Sequence, residues 1–141
     1  MIEQDQASIR LDELGTVVVA QPARDEGGRA HMDLPVLMEE DVRARIERGL
    51  LFAGWILERV DPVRRLSDVV VVAALLGGSY LGWRTRAEHA AEPNTVQVGM
   101  GRPERVAAKL SPARRNRAAL TLDAARMSED LTVLLRREIR Q

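Results

Sequence analysis

The sequence contains no cysteine, which excludes disulfide bonds, cysteine nucleophiles and thiolate metal sites. Its two histidines, His31 and His89, lie far apart in the chain, so we expect no metal site. The glycine motifs that bind phosphates and dinucleotides are also missing, and we expect no cofactor. The lack of cysteine suits a reducing compartment and residues 1–10 do not resemble a signal peptide, so we predict a cytoplasmic protein.

Aromatic residues and long apolar runs are scarce as well. The four aromatic side chains all fall between residues 52 and 83. We expect them to share one core, because a base-stacking surface would need aromatics spread over a basic face. The longest apolar run, residues 69–83, is 15 residues long and contains three glycines. It is shorter than the roughly 20 residues that cross a bilayer, so we expect a buried helix and no membrane contact.

Positive and negative charges balance overall but are unevenly distributed. Residues 1–41 carry ten acidic residues and three arginines, whereas residues 42–141 carry eleven acidic and eighteen basic residues. The first part is therefore acidic and the rest basic. Lys109 is the only lysine. Such an arginine bias is typical of a GC-rich genome, and we expect a bacterial source.

Two elements stand out in the first half of the chain. Residues 8–11 and 16–21 are short runs with β-branched side chains around an Asp-Glu-Leu-Gly turn, which predicts a β-hairpin. Residues 34–61 carry apolar side chains at three- and four-residue steps, which predicts an amphipathic helix. Asp61-Pro62 marks its end, because proline cannot continue a helix at that point.

The region up to Glu92 is predicted to form a second long helix, starting at either Asp61-Pro62 or Ser67-Asp68. The four valines 69–72 favour a strand. A stretch of about 25 residues without turn chemistry nevertheless favours a helix over a strand.

Residues 95–98 and 105–110 predict a second hairpin, and an apolar stripe from Leu120 to Ile139 predicts a C-terminal helix. The predicted fold is a single α+β domain. Two long antiparallel helices and a C-terminal helix pack with short antiparallel β-hairpins. Its parts are an acidic hairpin and loop (1–33), a helical hairpin (34–92), and a hairpin with the C-terminal helix (93–141).

Small residues suggest how the two long helices pack. Gly49 and Ala53 stand four positions apart on the first predicted helix, as do Gly78 and Gly82 on the second. Such spacing places each pair on one face. Because an interior glycine destabilises a helix by about 1 kcal/mol against alanine, we expect these pairs to make a close helix–helix contact. The alternatives are a contact between two copies of the chain and a kink.

Arg84 and His89 are the candidate catalytic residues of the sequence. The segment Arg-Thr-Arg-Ala-Glu-His, on a predicted long helix, resembles the helical ribonucleases of the HEPN superfamily. These pair an Arg with a His four to six residues later, usually in a dimer cleft. The resemblance implies that His89 takes the proton of a ribose 2′-hydroxyl and that Arg84 stabilises the phosphate. The alternative is a charged helix end before Pro93, where both side chains suit the helix dipole.

A basic stretch follows in the last third of the chain. Its cations predict either phosphate contacts or a solvated surface that attracts the acidic N-terminal part. No helix-turn-helix, ribbon-helix-helix or zinc motif accompanies it. The cations are Arg102, Arg105, Lys109, Arg114, Arg115 and Arg117.

These observations favour a non-enzymatic protein that acts through protein–protein contact. We expect a regulatory or assembly subunit that forms a homo-oligomer or binds a protein partner. Two alternatives remain open: a HEPN-like ribonuclease using Arg84 and His89, and a nucleic-acid-binding regulator using the basic stretch.

Overall fold

The computed structural model describes residues 7–23, 36–77, 82–92 and 103–141. These residues form six strands and four helices. In chain order the elements are β1 (Ser8–Leu11), β2 (Val17–Ala20), β3 (Val36–Met38), α1 (Glu39–Val60), β4 (Asp68–Leu76), β5 (Gly82–Arg84), α2 (Arg86–Ala91), β6 (Arg105–Asn116), α3 (Ala119–Leu122) and α4 (Ala124–Ile139).

The N-terminal hairpin is confirmed, since β1 and β2 pair antiparallel. The Asp12 carboxylate accepts hydrogen bonds from the backbone N–H groups of Leu14 and Thr16, both at 2.9 Å. Gly15 has a φ of +83°, a conformation that side chains disfavour. The turn chemistry of the sequence therefore places the chain reversal correctly.

The first predicted helix is also confirmed, as the 22-residue helix α1. It begins at Glu39, later than residue 34, because residues 36–38 form β3. Leu50, Gly54 and Leu57 lie on its buried face. The helix ends at the predicted point, where the backbone N–H of Asp61 donates to the carbonyl of Leu57 at 2.9 Å.

The second long helix is wrong, and with it the helical hairpin. The described part of that stretch contains the nine-residue strand β4, the three-residue strand β5 and the six-residue helix α2. Alternate residues of β4 face the core and the solvent, yet both sets are apolar, so the period of two is invisible in the sequence. The β-branched preference of the valines decides the conformation. The fold is α+β with one long helix and small two-stranded sheets.

The second predicted hairpin is not formed within the described residues. β6, which contains residues 105–110, pairs antiparallel with β4, far from it in sequence. Residues 95–98, the expected partner strand, lie outside the described residues. The register of the β4–β6 sheet shifts between Val70 and Val72.

A short parallel pair joins distant parts of the chain. β3 and β5 pair in parallel, with Leu37 opposite Trp83. Trp83 is buried, and its indole N–H donates to the Glu39 carboxylate at 2.7 Å. The same carboxylate accepts a hydrogen bond from Arg136 at 3.1 Å. The start of α1 is thereby tied to both β5 and α4.

The C-terminal helix is confirmed as α4, and it supplies the centre of the core. Leu131 and Leu135 are buried, and α4 contacts α1, β4 and β6. Ser128 and Thr132 are also buried, but their hydroxyls donate to backbone carbonyls of the same helix, at 2.7 and 2.6 Å. These polar groups therefore do not destabilise the core.

The aromatic side chains do not share one core. Trp83 is 1% exposed, whereas Trp55 is 51% exposed. Arg59 stacks on the Trp55 ring at 4.5 Å, and the Phe52 ring lies 5.6 Å away. Tyr80 lies outside the described residues. The aromatic residues are close together in the sequence, but the described ones do not meet in one core.

Candidate protein-interaction surface

β4 presents an apolar row on the side of the β4–β6 sheet that faces away from the core. Val70, Val72 and Leu76 are 59%, 54% and 74% exposed. The intervening Val71 is buried, as the period of two requires. A sheet with one solvated face normally carries polar residues there. The exposed apolar side chains of β4 therefore make an unfavourable contact with solvent.

β6 lays a row of cations beside this apolar row. The register places Arg105 opposite Leu76, Lys109 opposite Val72 and Arg114 opposite Val70. Directly opposite residues of an antiparallel pair share a face, and all three cations are exposed. We call the combined surface the outer ribbon face. It consists of Val70, Val72, Ala74 and Leu76 of β4 with Arg105, Ala107, Lys109 and Arg114 of β6.

The outer ribbon face is strongly unbalanced in charge. None of the eight residues that form it is acidic, and three are cations. The Asp68 carboxylate lies beside it, 3.9 Å from the Arg114 guanidinium. Both side chains of this pair are well exposed, so the contact contributes little stability. The face therefore keeps a net positive charge next to its apolar row.

The two free edges of this sheet differ. In the part of the chain that the structure describes, β4 pairs only with β6 and β6 only with β4. β6 carries arginines, a lysine and Pro112, which are features that discourage pairing with another strand. β4 has the sequence Asp-Val-Val-Val-Val-Ala-Ala-Leu-Leu and carries none of them. Within the described ranges, its second edge has no strand beside it and is open to pairing with a further strand.

Two other residues of the basic stretch, Arg115 and Arg117, do not join the outer ribbon face. Arg115 lies opposite Val69, on the inner side of the sheet, and is half-buried. Arg117 is buried and donates to the Asp61 carboxylate at 2.7 Å. Arg102 lies outside the described residues. Half of the six predicted phosphate-binding residues, Arg105, Lys109 and Arg114, therefore share one accessible face.

A small cavity lies beside Arg117. Its volume is about 110 Å³, which is below the roughly 300 Å³ of the smallest usual ligand pockets. Both arginines that line it, Arg64 and Arg117, contact the Glu58 carboxylate, at 3.3 and 3.4 Å. Their charge is thus offset locally, and the cavity offers little attraction to an anion.

The structure places Arg84 and His89 on separate elements, β5 and α2. The long helix on which the HEPN resemblance rested is absent from the described residues. The buried Arg84 guanidinium donates to the backbone carbonyl of Glu92 at 2.8 Å. Thr85 and Glu88 form a capping box at the other end of α2. Arg84 therefore anchors the end of a short helix.

His89 is half-buried in α2. Its Nδ1 atom is buried and makes no hydrogen bond within the described residues. His31 lies outside them.

The predicted contact between small residues on two long helices is not formed, because the described residues contain no second long helix in this part of the chain. Gly82 lies in β5, and Gly78 is outside the described residues. Gly49 faces Val19 of β2, with nothing nearer than 3.8 Å to the position of an added Cβ. The close approach lies instead at Gly54, where an added Cβ would come within 3.0 Å of the Thr121 hydroxyl oxygen. Ala53 is partly buried and packs against the core.

Sequence reasoning missed the apolar half of the outer ribbon face. The signal was present in the four consecutive valines, because β-branched residues favour strands over helices. The cations at positions 105 and 109 add a second signal, because their spacing is even and suits one face of a strand.

Comparison with known proteins found no matching family model, no similar curated protein and no similar solved structure. Within the described ranges, no cluster of histidine and carboxylate side chains is suited to hold a metal ion. Among the helices that the structure describes, none has both the length and the apolar character needed to cross a membrane.

Proposed function

We propose that this chain is a non-enzymatic, cytoplasmic assembly subunit that acts through protein–protein contact and pairs with a second copy of itself along the free edge of β4. The observation that carries the proposal is the edge of an apolar nine-residue strand that no other described strand pairs with. Unpaired N–H and C=O groups on such an edge form hydrogen bonds readily with another strand.

Antiparallel self-pairing suits the sequence of β4. Pairing about its central residue places Val72 opposite Val72 of the second copy, and Val70 opposite Ala74. The only charged residue, Asp68, then faces Leu76, so no like charges oppose each other. The result would be a continuous four-stranded sheet in the order β6, β4, β4, β6. Three or more strands are more stable than a two-stranded ribbon.

The test is the mass in solution of the wild type and of Val72→Lys, measured by size-exclusion chromatography with light scattering. At the two-fold centre this substitution sets two lysines directly opposite each other, which opposes pairing. We expect a wild-type dimer and a folded Val72→Lys monomer. Val63→Lys is the matched control, because Val63 is 72% exposed and lies outside the sheet. It should remain a dimer.

Charge complementation makes the test specific to this interface. Val72→Glu alone should also be monomeric, but an equimolar mixture of Val72→Lys and Val72→Glu should form a heterodimer, because opposite charges then meet at the centre. A monomeric wild type, or a Val72→Lys variant that stays dimeric, would contradict the proposal.

A further inference from the structure

We infer that the outer ribbon face binds an amphipathic helix of a partner protein whose apolar stripe is flanked by acidic residues. This inference rests on the proposed self-pairing, which brings two copies of the face side by side. It concerns the side chains of the sheet, whereas the pairing itself uses the backbone edge of β4.

The geometry of the paired sheet supports a helical partner. Its two central strands would present the apolar rows, and its two outer strands would present the rows of cations. Strands lie about 4.8 Å apart, so the two cation rows would be about 14 Å apart. A helix with its side chains is about 10–12 Å across, and so fits between them.

The length of the apolar row sets the length of the bound helix. From Val70 to Leu76 the strand extends by roughly 20 Å at about 3.4 Å per residue. A helix of that length has about 14 residues, or four turns. An apolar stripe of four turns would cover the exposed valines and leucine, while acidic residues on both flanks would contact Arg105, Lys109 and Arg114.

The composition of the face decides between occupants. A second copy stacked face to face would oppose three cations with three cations, because the outer ribbon face contains no acidic residue of its own. A nucleic acid would neutralise the cations, but its phosphates would not cover an apolar row in which Val70, Val72 and Leu76 are each more than half exposed. A partner with both apolar and acidic groups can cover the apolar row of β4 and pair with the cations of β6.

The experiment measures binding of a labelled synthetic peptide by fluorescence anisotropy. The peptide is a helix of about 16 residues with a leucine stripe flanked by glutamates; a second peptide has lysines in place of the glutamates. We expect the dimer to bind the glutamate peptide and not the lysine peptide. Added salt should weaken the binding, because the ion pairs are exposed.

Matched charge reversals locate the binding site. The double variant Arg105→Glu/Lys109→Glu should weaken binding by about tenfold or more. The control Arg43→Glu/Arg48→Glu changes the charge by the same amount on the exposed side of α1 and should bind like the wild type. A double variant that binds as well as its control would overturn the inference.

The outcomes separate the inference from the proposed function. A wild-type dimer that binds neither peptide, or both equally, would refute the acidic-helix inference and leave the self-pairing intact. A wild-type dimer that binds a duplex DNA probe in preference to the glutamate peptide would identify a nucleic-acid surface and refute it as well. A monomeric wild type would refute the self-pairing on which it rests.

Discussion

Gly54 lies where α1 passes close to α3. A Cβ added there would lie 3.0 Å from the Thr121 hydroxyl oxygen and 3.3 Å from the Leu120 Cβ, whereas one added at Gly49 would meet nothing nearer than 3.8 Å. Both positions gain the same helix propensity from alanine, about 1 kcal/mol. We therefore predict that Gly49→Ala raises the free energy of unfolding by about 1 kcal/mol. Gly54→Ala should leave it nearly unchanged, because crowding at that position costs about as much as the helix propensity gains. Urea denaturation measures both.

Equal gains for the two alanine variants would mean that α1 and α3 are not in close contact. The sequence held the information to choose between these glycines. Gly54 lies four residues after Leu50 and three before Leu57, in step with the buried stripe, whereas Gly49 lies beside it. The predicted contact at Gly49 and Ala53 was wrong because these residues were chosen to match Gly78 and Gly82 on a second helix. Their position relative to the buried stripe of α1 was not considered.

The loop between α1 and β4 is held by the Asp61 carboxylate. It accepts hydrogen bonds from the backbone N–H groups of Leu66 and Arg65, at 2.9 and 3.0 Å, and from the Arg117 guanidinium at 2.7 Å. The Leu66 hydrogen bond has the largest effect and lowers the pKa of Asp61 below its ordinary value. Burial opposes it, whereas the Arg65 hydrogen bond and the charge and hydrogen bond of Arg117 lower the pKa further. One side chain thus joins the end of α1, the start of β4 and the end of β6.

This lowered pKa predicts how stability depends on pH. Below the ordinary aspartate pKa of about 3.9 the unfolded chain takes up a proton at Asp61 that the folded chain does not, so stability falls as the pH falls. The contribution is complete above that value and is lost as the pH falls through the lowered pKa. We predict that Asp61→Asn unfolds more easily at pH 7 and loses less stability than the wild type between about pH 5 and 3.

The measurement is the urea midpoint of both proteins across this pH range. Asp12 and Glu88 also have lowered pKa values, caused mainly by backbone hydrogen bonds from Thr16 and Thr85. Both remain in the variant, so the difference between the two profiles reports Asp61. A difference that stays constant with pH would contradict the assigned cause.

The accuracy of the sequence predictions also varied by element. The hairpin β1–β2 and the C-terminal end of α1 follow from local chemistry, such as the Asp12 turn and the Asp61-Pro62 stop, and were predicted correctly. β4 was predicted as part of a long helix because about 25 residues were taken to lack turn chemistry. Both of its faces are apolar, which hides the period that identifies a strand. The capping box at Thr85 and Glu88 was a readable signal for the separate helix α2.

At the scale of the whole molecule, the decisive contacts join residues far apart in sequence. β3 pairs with β5, and β4 with β6, and neither pairing can be inferred from local patterns. The outer ribbon face depends on the second pairing, because the register alone sets the cations of β6 beside the valines of β4. The basic stretch and the run of valines could each be seen in the sequence, but their pairing could not.

Self-pairing along β4 should couple the stability of the fold to protein concentration. Anything that binds only the folded chain stabilises it by mass action, so a dimer melts at a higher temperature when it is more concentrated. For a chain of this size we predict that the wild-type melting temperature rises by about 2 °C for each tenfold increase in concentration. Val63→Lys should show the same slope, and Val72→Lys should melt lower with no slope. Calorimetry over a wide concentration range measures this, and a flat wild-type profile would show that the β4 edge contributes nothing to stability.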